Sequence, residues 1–444
     1  MNYSVYIHIP FCVSKCLYCD FYSRAQTIIA DCYVPNSYID AILNEIDYRF
    51  FNLTKHFTSN ENKIKTVYIG GGTPSLLNEE QILKIHNYFV NKNVFTDDYE
   101  FTIEVNPDDV TEEYINILKS TCVNRISCGI QTLNQKSLDF VKRRGTVEDN
   151  LRALKLFSSQ WNKNFSVDLI CGLPYETEQS FFEALNKIVL YNPNHISMYS
   201  LTFEENTPIT KLLDSGNLEY NFDFADELWL NSKNFLENHN FLQYEVSNFS
   251  KKGFESKHNL AYWNHQSYFG IGSGATGTFY LETNKTSNND NINALNKLSC
   301  EQTLFDVTKD FNCKKGLKGI RWVNTKNVEN YIDFWTDKNN LAKINQYKFQ
   351  EFYNQNYKIQ EVEFIDFETS KFEYFLMGLR KMSGINSKEF ELIFNCAIDS
   401  KIIHKFNEWN KKGLCEITNL ADSVQYTLGK NGILYLNKFL EELI

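Results

Sequence analysis

The sequence has few prolines, no excess of basic residues and no long apolar run. Only 7 prolines and 19 glycines occur in 444 residues, which excludes collagen-like and low-complexity chains. The 45 Lys and Arg against 55 Asp and Glu give a formal charge of −10, so nucleic acid is not an expected partner. No stretch reaches the roughly 18 apolar residues of a membrane span, and MNYSVYIHIPFC lacks the features of a secretory signal. We expect a soluble, globular, cytoplasmic protein.

Cysteine, in contrast, is plentiful and unevenly spaced. The count of 11 is odd, and in a long chain without a secretory signal this indicates reduced thiols or metal ligands, not a disulfide framework. Eight stand singly and are predicted to be structural thiols: Cys32, Cys122, Cys128, Cys171, Cys300, Cys313, Cys396 and Cys415. The other three, Cys12, Cys16 and Cys19, stand together.

Short β-branched runs alternate with longer amphipathic ones from residue 5 to about residue 200. This pattern predicts repeated βα units and a parallel sheet, which is an α/β fold. The six candidate strands begin at Val5, Thr66, Glu100, Arg125, Ser166 and His195. Six repeats fit an open doubly wound sheet as well as a complete or partial barrel, and both collect ligands at the carboxyl ends of the strands.

The pattern changes beyond these repeats. LQYEVSNF predicts a further strand, and an Asn-rich stretch from Glu282 predicts a surface loop. Charged, aromatic-rich helices are expected from there to residue 363. The last eighty or so residues combine helices with a hairpin of LCEIT and VQYTLG, which predicts a small separate α+β domain.

The three grouped cysteines have the spacing C-x-x-x-C-x-x-C directly after the first predicted strand. Such thiolates bind one zinc ion with a fourth ligand, or three irons of a 4Fe-4S cluster whose fourth iron stays open. GGGTP after the second strand lets the backbone approach a polar ligand closely. Glu104, Gln131 and Asp168 belong to the next three strands, in the order in which neighbouring strands would present polar groups at one mouth.

Together these motifs resemble the radical SAM enzymes. YIHIPFC, NRISCGIQ, DLICGLP, HISMYSLT, YEVSNF, HNLAYW and GIGSGA resemble, more narrowly, the oxygen-independent coproporphyrinogen III oxidase family and its haem-chaperone branch, HemW. The resemblance runs from about Tyr3 to Gly277 and resumes at FLMGLR. It implies a partial, six-repeat, TIM-like βα barrel within residues 1–280, a linking helical region at 281–363 and a winged-helix-like domain at 364–444.

The resemblance also implies which residues bind cofactors. Cys12, Cys16 and Cys19 would hold a 4Fe-4S cluster whose open iron binds S-adenosylmethionine (SAM). Eight residues would contact SAM: Tyr6, Gly71, Gly72, Thr73, Glu104, Gln131, Arg143 and Asp168. Three more would border a second ligand space: Ile170, Ser200 and Thr276. Relatives carry a histidine two residues after Arg143, where this chain has Gly145, so that histidine's role is in doubt here.

Two departures separate the chain from the oxidase itself. The oxidase has a further cysteine where this chain has Phe21, and it carries a long extension where only eleven residues precede Cys12 here. HNLAYW matches the HNxxYW motif of haem-binding HemW proteins. The match implies that His258 binds haem iron, with Tyr262 and Trp263 beside the porphyrin.

The predicted function is therefore a haem chaperone that binds haem and delivers it to haem-requiring proteins, with a 4Fe-4S cluster and SAM. The alternatives are an oxygen-independent coproporphyrinogen III oxidase and a zinc-dependent module without radical chemistry. The sequence leaves open whether SAM is cleaved, whether two chains associate, and whether the acidic surface docks transiently at a membrane.

Overall fold

The computed structural model describes residues 2–26, 28, 32–52, 54, 62–281, 318–344 and 359–443. The strands are β1 (Asn2–Ile9), β2 (Phe11–Cys12), β3 (Arg24–Ala25), β4 (Lys63–Gly71), β5 (Phe95–Val105), β6 (Arg125–Gln131), β7 (Asn164–Cys171), β8 (His195–Ser200), β9 (Leu242–Gln243), β10 (Asn248–Ser250), β11 (Tyr268–Ile271), β12 (Thr276–Tyr280), β13 (Gly319–Asn324), β14 (Gln360–Ile365), β15 (Ile385–Asn386), β16 (Glu416–Asn419) and β17 (Val424–Thr427).

The helices are α1 (Asn36–Ile46), α2 (Glu79–Lys92), α3 (Glu112–Lys119), α4 (Gln135–Phe140), α5 (Val147–Gln160), α6 (Glu178–Leu190), α7 (Pro208–Asp214), α8 (Phe222–Asn238), α9 (Lys257–Trp263), α10 (Val328–Thr336), α11 (Lys338–Ile344), α12 (Phe367–Gly378), α13 (Ser387–Phe394), α14 (Ser400–Lys411), α15 (Gly429–Gly432) and α16 (Leu436–Glu441). Among these described helices, none has the length and apolar composition needed to cross a bilayer.

One large sheet has the strand order β14-β13-β12-β11-β1-β4-β5-β6-β7-β8-β10-β9. Its seven central strands, from β11 to β8, are parallel, and antiparallel strands extend both edges. From β1 to β8 each strand of the sheet pairs with the preceding one, as in a βα barrel, and the two ends of the described sheet do not meet. The predicted α/β class, the six repeats and the partial barrel are confirmed.

Side chains alternate along the central strands between an apolar and a polar face. The apolar face forms the main core and includes Val5, Ile7, Val67, Ile69, Phe101, Ile103, Ile126, Cys128, Val167, Leu169, Ile196 and Met198. The opposite face, which is the barrel interior, carries Ser4, Tyr6, His8, Thr66, Tyr68, Glu100, Thr102, Glu104, Arg125, Ser127, Ser166, Asp168, His195 and Ser197. Polar side chains therefore line the interior, which suits a polar ligand and differs from an apolar core.

Two predictions about the later strands are wrong in detail. LQYEVSNF forms two short antiparallel strands, β9 and β10, instead of one. The linking region contains α10 and α11, as expected, but β13 and β14 also extend the large sheet. The buried Arg49 in the helical turn after α1 stabilises this extension because it hydrogen-bonds to Asn324 and Gln360 across 2.8 Å each. The predicted Asn-rich loop, Cys300 and Cys313 lie outside the described residues.

The C-terminal α+β unit has its own apolar core, built around Phe390, Phe406 and Phe439. The predicted hairpin is present as β16 and β17, and β15 adds a third strand. The unit contacts the barrel region through Met382, whose N–H donates to the carbonyl of Tyr244 across 2.9 Å. The domain boundaries after residues 280 and 363 stay predictions.

Candidate functional site

The three grouped cysteines lie on the loop that leaves β1 at the carboxyl end of the barrel. Cys12 belongs to β2 and pairs with β3, and the N–H of Cys19 donates to the carbonyl of Cys16 across 3.3 Å. Cys12 and Cys16 are buried, whereas Cys19 is partly exposed. Burial raises the pKa of the Cys19 thiol, and the neighbouring Cys16 and Cys12 raise it further. The three thiols are therefore grouped on one short loop.

The donor set fits an iron-sulfur cluster. In the part of the chain that the structure describes, no three Cys, His, Asp or Glu side chains converge on a single-ion site. The three thiolates of a 4Fe-4S cluster bind three different irons, so they do not have to converge in this way. Soft thiolate ligands with no fourth protein ligand leave one iron open for a further group.

The glycine turn of GGGTP packs directly against the cysteine loop. A Cβ atom on Gly72 would lie 2.7 Å from the carbonyl oxygen of Phe11 and 3.0 Å from the sulfur of Cys12, so a larger residue does not fit. Gly71 has a φ of +116°, which L-residues rarely adopt. The hydroxyl of Thr73 donates to the sulfur of Cys12 across 3.4 Å. The turn thus brings backbone close to the predicted cluster.

Glu104, at the carboxyl end of β5, faces the same turn. Its carboxylate accepts hydrogen bonds from the Tyr68 hydroxyl at 2.8 Å and from the N–H of Gly71 at 3.1 Å. Burial raises the pKa of Glu104 to about 7, and the nearby Asp168 contributes to the rise. A buried carboxyl group whose pKa lies near 7 is a candidate for binding a cationic ligand.

Asp168 on β7 is oriented by the two neighbouring strands. The Ser127 hydroxyl donates to it across 2.9 Å and the Ser197 hydroxyl across 2.7 Å. Gln131 ends β6 with a φ of 63°, at an irregularity in the pairing with β7. A non-glycine residue in this conformation is strained, and such strain is common at ligand sites.

Arg143 connects the barrel to the cysteine loop. Its Nη2 donates to Asn106 Oδ1 across 2.7 Å and to the carbonyl of Gly129 across 2.8 Å, and its Nη1 lies 3.9 Å from the sulfur of Cys16. On the other side, the hydroxyl of Tyr6 bonds to His8, which bonds in turn to the carbonyl of Tyr22 across 2.8 Å. The predicted SAM residues are therefore brought together around one mouth.

Three orienting residues were missed from the sequence: Tyr68, Ser127 and Ser197. Each is a polar residue at an alternate position of a predicted strand, three or four residues before a predicted site residue. That alternation was the available signal. The predicted second ligand space is less compact. Ile170 and Ser200 lie at the carboxyl ends of the neighbouring strands β7 and β8, whereas Thr276 begins β12 on the far side of β1.

His258, the predicted iron ligand, is only 2 % exposed and lies on α9 against the barrel interior. Its Nδ1 bonds to Thr66 Oγ1 across 2.8 Å and its Nε2 to the Tyr262 hydroxyl across 2.9 Å. Its ring stacks on Tyr68, with 5.0 Å between the ring centres. Burial, followed by the charge of Arg125, lowers the pKa of His258 to about 3, so the imidazole is neutral.

Trp263, the other aromatic predicted beside the porphyrin, lies at the opposite end of α9. The guanidinium of Arg380, from the C-terminal unit, lies over its ring at 5.4 Å from the centre. Its indole N–H is buried without a hydrogen-bond partner among the described residues. Tyr262 is thus hydrogen-bonded to His258, whereas Trp263 contacts the C-terminal unit.

Comparison with known proteins supports one family. Residues 6–188 match the Radical SAM superfamily. The chain is 30% identical over 427 residues to "Heme chaperone HemW" of Bacillus subtilis, covering 96% of this chain and 95% of the relative. It is 35% identical over 296 residues to the Escherichia coli protein of the same name, covering 64% of this chain and 73% of that one.

A solved structure shows the same fold. Coproporphyrinogen III oxidase (HemN) from Escherichia coli, described as a radical SAM enzyme, matches with a TM-score of 0.69 over 99% of this chain and 89% of that chain. At 16% sequence identity this likeness concerns the fold alone. The superfamily match and the nearly full-length match to the Bacillus subtilis relative identify the family: the chain belongs to the radical SAM superfamily and, within it, to the HemW family.

Proposed function

We propose that this chain is a haem chaperone, which binds haem and delivers it to haem-requiring proteins. The observation that carries the proposal is the match over 96% of this chain and 95% of the relative to a protein named for that role. We also propose a cytoplasmic location and no nucleic-acid partner, in keeping with the formal charge of −10.

The radical SAM superfamily implies a 4Fe-4S cluster and SAM as cofactors. We propose Cys12, Cys16 and Cys19 as the cluster ligands. When bound, the cluster supplies the electron that radical SAM chemistry requires. The chain contributes the cradle: Glu104 attracts the cationic part of SAM, and Asp168 accepts hydrogen bonds from hydroxyl groups.

The hydrogen bonds of His258 support its role as the iron ligand. The Thr66 hydroxyl donates a hydrogen bond to Ser4 Oγ across 2.8 Å, so Thr66 Oγ1 accepts a hydrogen bond from the N–H at Nδ1 of His258. The proton of the imidazole therefore resides on Nδ1, and Nε2 presents a lone pair that the Tyr262 hydroxyl occupies. Haem iron takes such a lone pair. Binding requires that the iron replace the Tyr262 hydroxyl at Nε2.

Oxidative decarboxylation of coproporphyrinogen is the competing function. The likeness to HemN supports the fold and not this activity. Phe21 occupies the position of the oxidase's additional cysteine, and its side chain is 72% exposed. The chain therefore supplies no thiol at that point of the loop.

Anaerobic reconstitution with iron and sulfide, followed by haem titration and a coproporphyrinogen turnover assay, tests the proposal. We expect iron-sulfur absorbance, tight haem binding and no porphyrin product. His258→Ala should lose haem affinity and keep the cluster, whereas His404→Ala, at an exposed position of α14, should keep both. Protoporphyrinogen formation would favour the oxidase. Bound zinc without iron-sulfur absorbance would reject both the cluster-containing haem chaperone and the oxidase.

A further inference from the structure

Arg125 begins β6 and is a buried cation that the SAM site does not use. Its side chain is 4% exposed, and it lies two residues before Ser127 on the interior face of the barrel. In the described chain no oxygen hydrogen-bonds to its guanidinium, and no carboxylate lies within ion-pair distance of it. Burial disfavours the charge, but the nearby Glu100 and Asp168 carboxylates favour it, and the pKa of Arg125 is raised overall, so the guanidinium is charged and makes no hydrogen bond to the described residues.

The carboxylates that act on Arg125 electrostatically are already occupied. Glu100 accepts hydrogen bonds from Ser256 and from the backbone of α9, and Asp168 accepts them from serines on β6, β7 and β8. Neither is therefore free to become a close partner. The guanidinium keeps five donors available in a planar fork that matches a carboxylate.

A second unpaired group lies beside it. Thr102 is the residue that pairs with Arg125 in the register of β5 and β6, and it faces the same interior. Its hydroxyl is buried without a hydrogen-bond partner among the described residues. At paired positions, two neighbouring strands thus present a guanidinium that makes no hydrogen bond and a buried hydroxyl without a partner in the described chain, which is an arrangement that an anionic group of a ligand would complete.

The position of Arg125 separates it from the carboxylate of SAM. Arg125 is at the amino end of β6, about 20 Å along the strand from Gln131 at a rise of about 3.3 Å per residue. SAM is proposed at the carboxyl end, beside the cysteine loop. His258 lies near the level of Arg125, because its partner Thr66 pairs with Glu100, two residues before the Thr102 that pairs with Arg125. A ligand that reaches His258 therefore passes close to Arg125.

We propose that Arg125, with the hydroxyl of Thr102, binds a carboxylate of the ligand that reaches His258. In the proposed function, on which this inference rests, that carboxylate is a propionate of haem. The site thereby discriminates in favour of porphyrins with free carboxylates.

The test is a titration of two ligands, haem and haem dimethyl ester, in which the propionates are esterified. Each ligand is titrated into the reconstituted full chain and into its Arg125→Met variant. The wild type should bind the ester about tenfold to a hundredfold more weakly than haem, as expected for a charged hydrogen-bonded contact. Arg125→Met should bind haem more weakly and bind both compounds equally. Such loss of discrimination requires contact with the carboxylate, whereas a merely structural role would weaken both compounds alike.

If Arg125→Met fails to fold, Thr102→Val and Arg125→Lys provide the same test. In both variants the difference in affinity between haem and its dimethyl ester should be smaller than in the wild type. Arg152→Met, at an exposed position of α5, should behave as the wild type. Undiminished discrimination in folded Arg125 variants, or weaker SAM binding with unchanged haem binding, overturns the proposal. A wild type that binds neither compound instead refutes the haem-chaperone function, and this inference with it.

Discussion

The carboxylate of Glu100 in β5 accepts a hydrogen bond of 3.0 Å from the backbone N–H of His258, the second residue of α9. It also accepts one of 3.1 Å from the N–H of Lys257. The first N–H groups of a helix have no partner within the helix, so an acid from the barrel satisfies donors that burial would otherwise leave unpaired. The position of His258 thus depends on a residue more than 150 positions earlier in the chain.

Glu100→Ala is expected to lower the free energy of unfolding by about 1–3 kcal/mol, because it leaves these buried donors unsatisfied. Glu100→Gln, which keeps one acceptor oxygen, should lose less. Chemical denaturation followed by circular dichroism measures both. Glu112→Ala, at the exposed start of α3, is the control. Equal stability of Glu100→Ala and the wild type would contradict the anchoring role.

The pKa of Glu104, raised by burial to about 7, predicts a pH dependence. In the folded chain the carboxyl keeps its proton at pH values where the unfolded chain has lost it, so its contribution to stability falls as the pH rises from about 4.5 to about 7. The ionised form attracts the cationic SAM. SAM affinity, measured by calorimetry, should therefore rise from pH 6 to pH 8.

Glu104→Gln should abolish this rise in affinity, since the amide does not ionise. Glu80→Gln, at an exposed position of α2, should preserve it. A pH dependence of SAM binding that is identical in Glu104→Gln and the wild type would show that another group titrates.

Gly72→Ala is expected to impair cluster assembly. Its Cβ would lie 2.7 Å from the carbonyl of Phe11 and 3.0 Å from the sulfur of Cys12, so the cysteine loop has to move. Iron and sulfide bound after reconstitution should fall well below the wild-type content. Gly145→Ala, whose Cβ would meet Asp108 at an ordinary 3.4 Å, should assemble normally. Full cluster content in Gly72→Ala would refute the close packing.

Tyr262→Phe should strengthen haem binding about fivefold, because it removes the hydroxyl that occupies Nε2 of His258 and keeps the aromatic ring. Thr66→Val should weaken binding, because it removes the acceptor that holds the proton on Nδ1. Titration of the haem absorbance band measures both. Weaker binding by Tyr262→Phe would assign the hydroxyl itself to the haem site.

Much of the site was predictable because its determinants are local. The cysteine motif and the glycine turn each come directly after one strand, and each of the six strands is recognisable from its own β-branched residues. The capping box of α2, between Asn78 and Gln81, is present as its sequence indicates. In contrast, β13 and β14 were missed because their pairing partners are each other and β12, across a long intervening segment.

The repeated βα units, the grouped thiols and the polar residues at successive strand ends can all be read from local sequence patterns, because each depends on residues that are close together in the chain. In contrast, long-range packing places His258 inside the barrel with both ring nitrogens hydrogen-bonded, and places Arg125 on the same interior face without a hydrogen-bond partner among the described residues. Burial and hydrogen-bond satisfaction depend on which distant strands and helices meet. Local sequence patterns therefore do not predict which buried side chains have hydrogen-bond partners.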